Sequence, residues 1–129
     1  MAAKKRVITS QKAPLPIGPY SQAIQAGGFV YVAGQGGVER STGKIVQGGI
    51  AAETRQTLEN IKAILAEAGL TLDDVVSSTV HMVDLSEFAV MNKVYAEYFR
   101  EAPPGRTTVQ VPALPNGIRI EITVTAVAT

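Results

Sequence analysis

Ile118-Arg119-Ile120-Glu121-Ile122-Thr123-Val124-Thr125-Ala126 decides the fold. Side chains alternate across a strand. Ile118, Ile120, Ile122, Val124 and Ala126 therefore share one face, and Arg119, Glu121, Thr123 and Thr125 share the other. A wholly apolar strand face must be covered by a second layer. The opposite face carries a carboxylate and threonines, so it meets water or another subunit.

Upstream, residues 107–111 read as a partner strand, headed by Pro103-Pro104-Gly105-Arg106. Residues 112–116 join the two and include two prolines before Asn116-Gly117. A tight hairpin at Asn116-Gly117 would set Arg106 opposite Val127. Glu121 would then lie about 20 Å away along the strand at normal strand rise. Either the connection is wider than a hairpin or the two residues do not touch; the prolines favour the wider connection.

Further back, Ile50 to Ala68 predicts a helix: Leu58, Ile61, Ile64, Leu65 and Ala68 recur at helical spacing, with Glu53, Glu59, Lys62 and Glu67 on other faces. Gly69 occupies the position of a left-handed C-terminal residue. Val75 to Val83 is β-branched and reads as a strand. Asp84 and Glu87 are spaced as a capping box, with Ser86 a competing cap, for a second helix whose stripe is Phe88, Met91, Tyr95 and Tyr98. Residues 5–10 and 29–33 read as strands, the latter ended by Gly34, Gly36 and Gly37. From the 29–33 strand onward the predicted order is strand, helix, strand, helix, strand, strand. It describes an α+β domain, residues 1–129, with both helices on one face of the sheet.

Twelve Lys and Arg against 11 Asp and Glu leave a net charge of +1. No strong field draws nucleic acid or membrane to such a chain. Lys4-Lys5-Arg6 reads as a solvated terminal segment. No apolar run follows it in the manner of a secretory signal, and the expected location is cytoplasmic. Cysteine is absent, which excludes thiolate chemistry. His81 is the sole histidine, so a multi-histidine metal site within one chain is excluded. Its place in mid-strand marks it as a packed or edge side chain. Gly34-Gln35-Gly36-Gly37 fails the dinucleotide fingerprint because Glu39 stands where the last glycine belongs.

Arg106 and Glu121 remain. Each is an ionised group in a segment that otherwise reads as buried strand. A guanidinium is never neutral in a protein and needs an anionic partner. That partner is either Glu121, as a structural salt bridge, or a small carboxylate ligand matched to the fork.

The chain resembles the reactive intermediate/imine deaminase family (Rid or YjgF-type, also called L-PSP). The resemblance rests on Ile17-Gly18-Pro19-Tyr20-Ser21-Gln22-Ala23, Val30-Tyr31-Val32-Ala33-Gly34-Gln35, Val75 to Asp84 with Phe88-Ala89-Val90-Met91-Asn92, and the Arg106 and Ile120-Glu121-Ile122 segments. It implies a chorismate-mutase-like α+β subunit, a homotrimer with a barrel-like centre, and ligand sites between subunits. It also implies that the last strand is inserted within the sheet. By position, Arg106 corresponds to the residue that holds a substrate carboxylate and Glu121 to the acid that positions or activates water. Tyr20, Gly34 and Asn92 correspond to pocket residues. Ala33 stands where many members have Ser and Thr108 where many have Cys, so neither hydroxyl nor thiol chemistry is required at those positions. Gly105 and Thr107 replace other small residues beside Arg106.

The implied reaction is hydrolysis of 2-aminoacrylate or 2-aminocrotonate, through the imine, to a 2-keto acid and ammonia. It calls for no metal and no cofactor. The alternatives are a regulatory trimer that binds small 2-keto acids without turnover, and a ribonuclease or translation inhibitor. Net charge, the lone histidine, and three Phe plus four Tyr without interleaved basic residues argue against the last.

Overall fold

The computed structural model describes residues 4–129. Among these, the strands are β1 (Arg6–Ile8), β2 (Ala23–Ala26), β3 (Phe29–Gln35), β4 (Val75–Met82), β5 (Gly105–Gln110) and β6 (Ile120–Val127). The two α-helices are α1 (Gly49–Glu67) and α2 (Phe88–Tyr98). The strands form one sheet in the order β1-β2-β3-β6-β4-β5. Only β4 and β5 run parallel; every other neighbouring pair is antiparallel. This is the mixed α+β architecture expected from the sequence.

Strand β6 lies between β3 and β4, not beside β5. The chain therefore leaves the edge strand β5, passes β4, and enters the centre of the sheet. Left-handed Asn116 (φ 58°) and Gly117 (φ 79°) turn it on the way. The wide connection is thus realised. Ile120, Ile122, Val124 and Ala126 are buried, while Glu121, Thr123 and Thr125 are half-exposed. Burying each isoleucine contributes about 2 kcal/mol. A one-residue slip would turn both isoleucines outward and the carboxylate inward, so the register is firmly held.

The core joins this face to Leu58, Ile61, Ile64 and Leu65 of α1 and to Met91 and Tyr95 of α2. Helix α1 stops as its glycine predicts. Gly69 adopts φ 74°, its N–H donates to the Ala66 carbonyl, and the Leu70 N–H donates to that of Leu65. That is the paired closure of a Schellman motif.

Three local expectations need correction. Strand β2 was not expected, because Ala-Ile-Gln-Ala has little β-branched content. It pairs with β3 across Gly27 (φ 58°) and Gly28 (φ 84°), the positive angles a two-residue hairpin turn requires. The second helix lacks the expected capping box. Asp84 instead accepts from the Ser86 N–H and caps a short 3₁₀ turn, Leu85–Glu87, from which α2 continues. Glu53, assigned to an outer helix face, is buried. Its carboxylate accepts from the Arg119 N–H at 2.8 Å and meets Arg119 Nε at 3.3 Å. Arg119 therefore reaches back to α1 and to Glu87 (3.2 Å) instead of standing beside Glu121.

Candidate functional site

Strand β4 fixes where the two candidate charges emerge. Its Ser78 is in register with Arg106 of β5, and its His81 with Glu121 of β6. Laterally paired residues share a face, and positions an odd number apart on one strand point oppositely. Arg106 therefore emerges on the helix-covered face and Glu121 on the other. Two strand spacings across and three residues along place their Cα atoms about 14 Å apart. The intrachain salt bridge is ruled out.

Arg106 is half-buried beneath α2. Its Cζ lies 4.7 Å from the centre of the Tyr95 ring and 5.6 Å from that of Phe88. Among the described residues no carboxylate comes within ion-pair distance of it. Cation–π contact supplies part of the stabilisation a salt bridge would give, and leaves the edge of the fork free to donate. The guanidinium borders a depression of about 530 Å³ that Asn92 and Tyr95 also line. Asn92 Oδ1, Tyr95 Oη and the nearby Ser78 Oγ are all buried without a hydrogen-bond partner. Burial raises the Tyr95 phenol above its usual pKa, with the Ser78 hydroxyl and the Arg106 charge working against the rise. The phenol remains a neutral donor.

Glu121 belongs to a second, larger cavity of about 690 Å³, shared with Tyr20, Gln35 and Ile118. Its side chain lies across Gly34, where an added Cβ would fall 2.6 Å from Glu121 Cδ. Gly34 sits within the irregularity of β3 between Val32 and Gln35. Tyr20 is held by its own loop: its Oη accepts from the Ile17 N–H at 3.3 Å and its N–H donates to the Gly18 carbonyl. Apolar Leu15, Ile17, Val38 and Ile45 also line it, together with the charged Glu39 and Arg40.

The residues singled out by sequence thus form two groups. Tyr20, Gly34 and Glu121 meet on one side of the sheet; Asn92 and Arg106 meet on the other. Thr108 pairs with Val80, half-buried on Arg106's face, but lines neither cavity. Ala33 also lines neither; its N–H donates to the Gln22 carbonyl. Phe88 and Tyr95 were assigned to the core stripe alone. Tyr95 is buried, but Phe88 is exposed enough to cover the guanidinium. Their helical spacing with Asn92 was the available signal, since positions 88, 92 and 95 share a face. No group of three or more metal-ligating side chains occurs among the described residues. Likewise no helix there is long and apolar enough to cross a membrane.

The family model described as endoribonuclease L-PSP matches residues 10–128. The chain belongs to this family, the RidA/YjgF group of L-PSP proteins. A RutC family protein of Pyrococcus horikoshii is 55% identical over 118 residues, covering 92% of this chain and 94% of the relative. The mouse protein named 2-iminobutanoate/2-iminopropanoate deaminase is 43% identical over 123 residues, covering 95% and 91%. Among solved structures, Escherichia coli TdcF with bound serine superposes with a TM-score of 0.92 at 39% identity, covering 96% of this chain and 99% of that one. The human protein of the same name as the mouse relative is 44% identical over 123 residues, covering 95% of this chain and 90% of the relative.

Proposed function

We propose that the protein hydrolyses small 2-imino acids, formed from 2-aminoacrylate or 2-aminocrotonate, to 2-keto acids and ammonia. The Arg106 fork, which has no carboxylate partner among the described residues and lies against the Tyr95 and Phe88 rings, is the observation that carries this reading. It holds the substrate carboxylate bidentately, a charge-assisted contact contributing about 1.5–3 kcal/mol. Water adds to the imine carbon, a proton passes to nitrogen, and ammonia leaves as the carbonyl forms. Glu121 accepts the water proton and returns it to the departing nitrogen, general acid–base help worth about 10²–10⁴-fold.

One chain cannot bring Arg106 to Glu121, because the sheet stands between them. The working site therefore joins the Arg106 face of one copy to the Glu121 cavity of another. A closed homotrimer of chorismate-mutase-like subunits, with β6 near a barrel-like centre, satisfies this with equivalent head-to-tail contacts. Asn92 and Thr108 come with Arg106; Tyr20, Gly34 and Ala33 come with Glu121.

The test follows keto-acid and ammonia release from freshly generated 2-aminoacrylate and 2-iminobutanoate, with semicarbazide trapping the remaining imine. Acceleration that disappears in Arg106→Ala establishes the activity. A folded protein that leaves the spontaneous rate unchanged overturns it. A second reading, ligand binding without turnover, draws on the serine-bound relative. In that case Glu121→Gln would leave 2-keto acid affinity intact with no activity to lose.

A further inference from the structure

A bidentate carboxylate contact needs the plane and height of the guanidinium fixed before the ligand arrives. Arginine has a long, flexible stem, and backbone position alone does not fix its head. Neighbouring acids usually do so, but among the described residues Arg106 has no acid within ion-pair distance. What it has is a ring. Tyr95 is buried, at 6% exposure, and its ring centre lies 4.7 Å from Arg106 Cζ, nearer than the Phe88 ring at 5.6 Å. The Phe99 ring packs on the Tyr95 ring with centroids 4.6 Å apart, so Tyr95 is itself immobilised.

We propose that Tyr95 is a positioning residue for the carboxylate-binding arginine. Its ring face sets the height of the Arg106 guanidinium and leaves the donor edge open to the depression shared with Asn92. The proposal rests on the reading that Arg106 holds the substrate carboxylate. It assigns Tyr95 to ligand affinity and leaves the chemical step to Glu121.

The experiment measures the affinity of the assembled protein for 2-ketobutyrate by calorimetry, alongside KM and kcat for 2-iminobutanoate. The variants are Tyr95→Leu, Tyr95→Phe, and Tyr95→Leu in an Arg106→Ala background. Tyr95→Leu is expected to raise Kd and KM by about tenfold, the size of a partly desolvated cation–π contact. kcat should change by less than about twofold, because the transition state keeps the same carboxylate contact. Tyr95→Phe keeps the ring and is expected to restore both constants. In the Arg106→Ala background, Tyr95→Leu should have no further effect on Kd, which a merely structural role would not produce. Unchanged affinity in folded Tyr95→Leu, or equal damage from Tyr95→Phe, overturns the proposal. Should Tyr95→Leu fail to assemble, Phe88→Leu at the more exposed ring tests the same clamp, with about a threefold rise in Kd expected. Arg106-dependent affinity without turnover would sink the deaminase reading while leaving the positioning role standing. Affinity that survives Arg106→Ala would remove the anchor itself, and the positioning role with it.

Discussion

Arg106 and Glu121 emerge on opposite faces of one sheet because their β4 partners, Ser78 and His81, are an odd number of residues apart. An active site containing both must draw them from different copies. Arg106→Ala and Glu121→Gln should each be inactive alone, yet regain activity when co-expressed. In a head-to-tail ring with random mixing, about one interface in four pairs an intact arginine with an intact glutamate. About a quarter of wild-type activity is expected in the mixed assembly. Activity no higher than in the single variants would place the whole site within one chain, against the geometry.

Gly34 supplies space, not backbone freedom, since its φ is not in the left-handed region. A methyl group there would fall 2.6 Å from Cδ and 2.8 Å from Cγ of Glu121. These atoms belong to a flexible side chain, so the fold accommodates the methyl by moving the carboxylate. Gly34→Ala should keep a near-native melting temperature while lowering kcat by about 10²-fold, within the usual range for misplaced general acid–base groups. Unchanged kcat would detach the Glu121 carboxylate from the chemistry.

Much of this was legible from residue pattern. The alternation of β6, the stripe of α1 and the left-handed Gly69 each follow from one local rule, and the structure keeps them. Sheet order is another matter. Nothing local in residues 107–127 says that β6 passes β4 to reach the centre; only the prolines and the distance argument opposed a hairpin, and the family resemblance supplied the insertion. Strand β2 was missed because its evidence lies in Gly27-Gly28 and not in its own four residues. The separation of Arg106 from Glu121 depends on register across a third strand, which single-strand periodicity cannot reveal. Glu53 was misplaced for a similar reason: its partner Arg119 is 66 residues away.

Arg106→Lys distinguishes the fork from a mere positive charge. A lysine ammonium is compact, lacks the flat face that lies over Tyr95, and cannot donate two parallel bonds to a carboxylate. kcat/KM should fall by about 10–100-fold, corresponding to loss of about 1.5–3 kcal/mol of charge-assisted contact. Added salt will not rescue it. Activity near wild type would mean that charge alone holds the substrate.

Removing the partner of a buried carboxylate is costlier than removing an exposed one. Glu53 is buried and depends on Arg119 for its counter-charge, whereas the Arg55 and Glu97 side chains pair half-exposed at the surface. The Arg119 N–H still serves Glu53 in an alanine variant, and about half of the Arg119 side chain already faces water, so the loss is smaller than for a sealed pair. Arg119→Ala should destabilise the protein by about 2 kcal/mol, below the full penalty for a buried unpaired charge. Glu97→Gln should leave the urea midpoint unchanged, although its carboxyl pKa is lowered chiefly by the hydrogen bond to Arg55. Glu53→Gln in the Arg119→Ala background should recover part of the loss, because the amide removes the uncompensated charge and its oxygen still accepts from the backbone N–H. Equal urea midpoints for Arg119→Ala and Glu97→Gln would show that Glu53 is solvated in the folded protein.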